Sequence, residues 1–534
     1  MDRLRDPHRQ RYKYRLLPAS LDDEELARTT SVSASAHSLQ TGSSDPAASH
    51  SLQTGGSDPA ATQSLQTRSR RSFRIALLGA FIMVLLTAAV ALFALGYGAA
   101  AADKPCDSPT RGFQCHPDIA RFWGQTSPWF SVPSEIDASL PVGCEITFAQ
   151  VLSRHGARDP TAKKSQAYKA TIARIQSSVT KYGDGFTFLK DYKYKFGADQ
   201  LSDFGRNQML NSGIHFYGRY RALARTATPF IRASGQQRII ESGDKWAQGF
   251  HQARVADGVG AGNDGFPYPK VLISEAKGSN NTLDHGLCTA FEKRDKASER
   301  VFAKFLASFG GPIQDRLNKG LPGANITLDE VVHLMDLCPF ESVARTDGKL
   351  SEFCGLFTKE EWRSYDYMAS LNKYYSYGQG SALGPTQGVG FTNELLARLT
   401  GKPVSDRTST NRTLTSNPAT FPLGKKLYAD FSHDNDMLAI YNAIGLYNAT
   451  TITQARAAAV FIMTSESITR MYVEKMKCGA TAGQNKELVR ILVNDRVIPL
   501  QNCGADKLGR CELNKFVNSL SFARGGGHWD KCFV

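Results

Sequence analysis

Residues 144–160 read CEITFAQVLSRHGARDP, an alternating segment that runs directly into a histidine held between two arginines. Ile146, Phe148 and Leu152 recur at the period of a β-strand, so Arg154, His155 and Gly156 fall where that strand ends. In open α/β sheets the crevice beyond the carboxyl ends of the strands is where ligands bind. Gly156, with no side chain, would let the backbone come close to a bound group. Residues 425–436, KKLYADFSHDND, have the same layout: Leu427, Ala429 and Phe431 alternate and then deliver His433 and Asp434. The expectation is an α/β sandwich around a mostly parallel sheet.

The residue types name a chemistry. A guanidinium is a planar fork of donors that fits phosphate oxygens, so Arg154 and Arg158 imply a tetrahedral anion between them. Their charge disfavours an imidazolium at His155, and a neutral imidazole keeps the lone pair of a nucleophile. Cys115 and Cys288 each begin a C-x5-R spacing, but neither carries the glycine-rich loop that turns backbone N–H groups toward phosphate. There is no G-x-S-x-G elbow, H-E-x-x-H helix, Walker loop or EF-hand loop, so neither a serine nucleophile, a metal nor a cofactor is expected.

Outside these motifs the chain changes character. Residues 1–74 carry a 13-residue repeat, SLQTGSSDPAASH followed by SLQTGGSDPAATQ, whose composition buries too little apolar surface to fold; a disordered tail is expected. Residues 75–102 hold no charge and exceed the roughly 20 residues that span a bilayer. Arg68, Arg70, Arg71 and Arg74 precede this segment, which predicts a type II signal-anchor with a cytoplasmic N-terminus. The alternative is secretion after cleavage near Ala102. All 10 cysteines lie beyond it, an even number in an oxidising compartment, together with acceptor sequons at Asn280, Asn325, Asn411 and Asn448.

The net charge is +14, and residues 1–102 hold 11 basic and 8 acidic side chains, which leaves an excess of +11 in the rest. A basic domain suits an anionic ligand. Dispersed surface charge is the simpler reading of that excess, so a nucleic-acid partner is not expected.

RHGARDP with SHDND resembles the histidine acid phosphatase family, and specifically its fungal phytase branch. The likeness extends from Cys106 to Val534 through FIRASGQQRIIESG, NNTLDHGLC, LGPTQGVGFTNELLARLT and SNPATFPL. It implies that His155 attacks phosphorus to form a phosphohistidine. Arg154, Arg158, Arg238 and His433 would hold the phosphoryl oxygens, and Asp434 would donate the proton to the leaving alcohol. It also implies a rim for a large polyphosphate made of Lys164, Glu275, Asp284, Asp336 and Lys373, with Asn372 standing where some relatives carry another lysine. The same resemblance implies the pairs Cys106–Cys115, Cys144–Cys478, Cys288–Cys532, Cys338–Cys354 and Cys503–Cys511. The expected partner is a phosphate ester, phytate first. A general acid phosphatase and an inactive membrane-tethered binding protein are the alternatives, and the oligomeric state is left open.

The phosphatase domain is expected over 103–534, with an α-helical insertion roughly between 283 and 395. ASERVFAKFLASF and TLDEVVHLMDLC place apolar residues three and four apart, the second behind a Thr327–Glu330 capping box. Cations around Asp434 should depress its pKa until a phosphate dianion offsets their field, giving an expected optimum at about pH 4.5 to 6.

Overall fold

The protein is described here from a computed structural model, over residues 106–259, 265–293, 296–447, 470–479 and 486–533. The expected tail, the expected anchor at 75–102 and Asn448 lie outside those residues. Among the described residues no helix is long and apolar enough to cross a membrane.

Strand β1 (Cys144–Arg154) is buried at every position from Phe148 onward, because both of its faces are covered. Phe148 and Leu152 enter one hydrophobic cluster, with Phe391 and Leu395 from the Val389–Thr400 helix and Met437 and Ile440 from the Asp434–Ile444 helix. Ala149 and Val151 enter another, with Phe216 from the Asp203–Arg219 helix and Trp246 and Phe250 from the Gln237–Ala256 helix. The two-residue period therefore sorts one strand between two cores, and the sheet lies between helical layers.

The remaining strands are β2 (Phe230–Ser234), β3 (Lys270–Ile273), β4 (Leu427–Ser432), β5 (Arg470–Cys478), β6 (Lys486–Val493), β7 (Arg496–Ile498) and β8 (Cys511–Glu512). Their order is β3-β2-β4-β1-β5-β6-β7, with β8 on β6. From β3 to β1 neighbours run parallel; β5, β6, β7 and β8 pair antiparallel. The sheet is thus mixed rather than mostly parallel. Asn494 and Asp495, both at positive φ (49° and 71°), turn β6 tightly into β7, and such a two-residue hairpin can only join antiparallel strands.

A third cluster is built mainly from helices. The Ala162–Ser178, Lys296–Gly320, Leu328–Ala344 and Lys359–Ser376 helices meet around Tyr168, Leu317, Leu334 and Trp362. The capping box forms: Thr327 Oγ1 accepts from Glu330 N at 3.3 Å, and Glu330 Oε2 accepts from Thr327 N at 2.9 Å. A cap of this kind contributes about 1 kcal/mol. Lys359–Ser376 begins with another box, on Thr358 and Glu361. Val389–Thr400 packs on the sheet, so the helical cluster stops short of residue 395. All five expected disulfides are formed.

Gly156 serves a different purpose from the one its position suggests. A Cβ there would stand 2.4 Å from the Gly205 carbonyl oxygen, and a Cβ on Gly205 would stand 1.9 Å from that of Ala157. The two glycines let the Asp203–Arg219 helix lie against the turn that carries His155. Gly205→Ala is expected to destabilise the protein by about 1–3 kcal/mol, since backbone and not a pliable side chain must yield. The urea midpoint reads this, and an unchanged midpoint would refute the close-approach argument.

Candidate active site

The parallel half of the sheet gathers the motifs. β1 pairs with β4 so that Arg154 lies opposite Ser432, which sets His155 and His433 side by side just past the strand ends. β2 lies next to β4 and feeds the helix that carries Arg238 in its first turn. Glu275 follows the end of β3.

His155 is buried. Its Nδ1 lies 2.8 Å from the Gly156 carbonyl oxygen, which can only accept, so Nδ1 carries the hydrogen and Nε2 keeps the lone pair. Burial first, then the charges of Arg154, Arg238 and Arg158, hold its pKa well below the usual histidine value. The ring meets His433 edge-on at 5.8 Å between centroids.

The arginines are fixed by their own contacts. Arg154 Nη1 donates to the Gln125 carbonyl at 2.8 Å, and its Nε lies 3.2 Å from Asp434 Oδ1. Arg158 Nη1 donates to the Asp159 carbonyl at 2.9 Å. Arg238 Nη2 donates to His433 Nδ1 at 3.4 Å, and its Nη1 lies 3.8 Å from Asp199 Oδ1.

Asp434 opens the Asp434–Ile444 helix, where the positive end of the helix dipole favours a carboxylate. Its Oδ2 lies 2.5 Å from Lys373 Nζ. Burial would raise its pKa, but the fields of Arg154 and Lys373 and the Lys373 hydrogen bond outweigh that and hold it far below the carboxylate range. The unliganded site therefore keeps Asp434 ionised.

The residues of the expected rim differ in burial and in partners. Lys373 is turned inward onto Asp434 and Asn435. Asp336 is buried: it accepts from Tyr168 Oη at 2.5 Å, from Tyr365 Oη, and from Lys164 Nζ at 3.3 Å. It anchors Lys164. Lys164 itself lines a cleft with Arg154, Arg158, Gln125, Thr126 and Phe340. Asn372 takes a hydrogen bond from Ser376 Oγ at 3.5 Å. Gln125 and Asn435 were not expected; Asn435 stands inside SHDND, whereas nothing around Gln125 in the sequence marks its carbonyl as the brace of Arg154.

Glu275, Asp284 and His433 present ligand-type atoms within 4.8 Å of one another. This trio is organised by hydrogen bonds instead: Arg238 donates to Nδ1 of His433, and Nε2 lies 3.3 Å from Glu275 Oε1. With one ring nitrogen accepting and the other donating, His433 offers no lone pair to a cation. The residues do not fit a metal.

Residues 145–494 match the model of the histidine phosphatase superfamily (branch 2). A protein named Phytase A from Aspergillus fumigatus is 52% identical over 445 residues, covering 81% of this chain and 95% of the relative. Phytase A of Emericella nidulans is 50% identical over 442 residues, covering 80% and 94%. Among solved structures, the phytase from D. castellii aligns with a TM-score of 0.60 at 22% identity over 76% of this chain and 85% of that one. A multiple inositol polyphosphate phosphatase from Bifidobacterium longum, solved with inositol hexasulfate, aligns at 0.51 and 15% identity over 75% and 97%. These two likenesses are of fold.

Proposed function

The chain belongs to the histidine phosphatase superfamily (branch 2), and we propose that within it the protein works as a phytase through a phosphohistidine at acid pH. It is a phosphoric monoester hydrolase, and the relatives named Phytase A support phytate as its substrate. The observation that carries the mechanism is the tautomer of His155: a buried imidazole whose Nε2 lone pair is kept free among Arg154, Arg158 and Arg238.

In the first step Nε2 of His155 forms a bond to phosphorus as the bond from phosphorus to the leaving oxygen breaks. Asp434 gives its proton to that oxygen. In the second step water attacks phosphorus, Asp434 takes the proton, and the N–P bond breaks to release phosphate. Arg154, Arg158, Arg238 and His433 hold the oxygens on which charge accumulates, a positioning and electrostatic task suited to phosphoryl transfer.

The test of substrate is kcat/KM for inositol hexakisphosphate against a small aryl phosphate. A phytase gives the higher value for the inositol ester. Equality, or an advantage for the aryl ester, would favour a general acid phosphatase, and no release from either would favour a binding protein. Lys373→Met supplies a second measurement. Removing a cation beside Asp434 should raise the pKa at which it loses its proton, moving the alkaline limb of kcat upward by about one pH unit. A stationary limb would detach Lys373 from the proton donor.

Residues 75–102 are proposed as a signal-anchor with the phosphatase domain on the lumenal or extracellular side, and Asn280, Asn325, Asn411 and Asn448 as glycan acceptors. The 10 cysteines beyond that segment, joined in five pairs, support an oxidising compartment. Carbonate extraction should leave the chain in membranes, with the domain shielded from protease in sealed vesicles. Recovery of the domain in the medium would mean cleavage near Ala102.

A further inference from the structure

His433 stands between groups that fix which nitrogen carries its hydrogen. Arg238 Nη2 lies 3.4 Å from Nδ1, and a guanidinium only donates, so Nδ1 accepts. Nε2 lies 3.3 Å from Glu275 Oε1, and an ionised carboxylate only accepts, so Nε2 donates. Burial works against ionisation of Glu275, but the hydrogen bonds it takes from His433 and Ser234 and the charge of Arg238 hold its pKa below the usual carboxylate value. The ring in the unliganded site is thus a neutral Nε2–H tautomer, its lone pair turned toward Arg238. Asp284, from the loop after Leu283, and His155, just past the end of β1, also lie close to the ring, and the Arg154–Asp434 ion pair is formed by the residues next to these two histidines in the chain.

This tautomer suits the empty site and not the occupied one. A bare Nδ1 and a phosphoryl oxygen both present lone pairs and repel each other. We propose that binding of a tetrahedral dianion draws one proton from solvent onto Nδ1 of His433, and that Glu275 is the positioning residue that makes this uptake favourable by holding Nε2–H. The occupied ring is an imidazolium that donates to the anion through Nδ1 and to Glu275 through Nε2. Only an N–H bond forms, and water supplies the proton. Glu275 therefore acts behind His433, as its orienting carboxylate, and not as a rim contact for substrate. The inference rests on the phosphate-site reading of Arg154, Arg158 and Arg238.

Sulfate is the probe, because it is a dianion throughout the range and brings no proton of its own. Calorimetric titration at pH 6.5 in two buffers of unlike ionisation enthalpy counts the protons taken up. About one proton per sulfate is expected for the wild-type protein, and the uptake should persist in Asp434→Asn, in His155→Ala and in Asp284→Asn, which remove three other groups able to accept it. Glu275→Gln should cut the uptake to less than about half and weaken sulfate roughly tenfold at pH 6.5, with much of the affinity regained at pH 5. Glu275→Asp should restore part of the uptake, which a merely structural role would not require. Sulfate binding without proton uptake would overturn the proposal while leaving the phosphate site intact. Loss of uptake in Asp434→Asn, His155→Ala or Asp284→Asn would move the proton to that residue, and unchanged uptake in Glu275→Gln would remove Glu275 from the mechanism. Failure of sulfate to bind at all would overturn both this inference and the phosphate-site reading beneath it.

Discussion

His155→Ala is expected to lower kcat/KM by at least about 10⁴-fold for every phosphomonoester, alkyl and aryl alike. The expectation follows from the route and not only from the residue's position. Water could replace the imidazole as the attacking group, but it would lack the orientation that the Gly156 carbonyl gives the His155 ring. A mispositioned water gains little from the surrounding arginines. The arginines remain in the variant, so sulfate or phosphate should still bind. Base-stable, acid-labile label from a phosphate-labelled substrate should be trapped in the wild-type protein on rapid quenching and should be absent from the variant. If the variant kept more than about a hundredth of the wild-type rate, the covalent route would be wrong and direct attack by water would replace it.

The motifs of the candidate site were legible in the sequence because its elements are local. A strand ending in Arg154-His155-Gly156 and another ending in His433-Asp434 each carry their own evidence, and the parallel pairing of β1 with β4 then juxtaposes them. What could not be read depends on partners distant in the chain. Gly156 was legible as a necessary glycine, but its reason is Gly205, whose helix lies against the turn. Asp336 looks like any acidic rim residue until the folded chain brings Tyr168 and Tyr365 onto it. Lys373 looks like a surface cation until it is seen against Asp434.

The sheet offers a different lesson. Two signals for its antiparallel half were present in the sequence. Asn494-Asp495 between apolar runs is the chemistry of a tight hairpin. The Cys144–Cys478 pairing, implied by the family resemblance, puts the beginning of β1 against the end of β5, which only an antiparallel neighbour satisfies. The strand-end argument was right for β1 to β4 and was carried too far across the rest.

Asp434→Asn should slow an alkyl phosphate by about two to four orders of magnitude while leaving an activated aryl phosphate within about tenfold of wild type. The asymmetry follows from the leaving group, since an alkoxide must be protonated as it departs and a stabilised aryloxide need not be. The pH dependence follows from the carboxyl group's surroundings. Arg154 Nε at 3.2 Å and Lys373 Nζ at 2.5 Å hold Asp434 ionised in the unliganded site. A bound phosphate dianion competes for Arg154, partly cancels the cationic field and raises the pKa of Asp434, so the proton-bearing form returns at mildly acidic pH. Because the protonated acid is the working form, kcat is retained below that bound-state pKa and lost as pH rises through it. The wild-type optimum is accordingly expected at about pH 4.5 to 6. In the asparagine variant the residual alkyl-ester rate should lose this alkaline limb, because no carboxyl proton is left to titrate. If both esters slowed equally and the limb survived, Asp434 would be the residue that braces Arg154 and Lys373, and the leaving group would have to obtain its proton elsewhere.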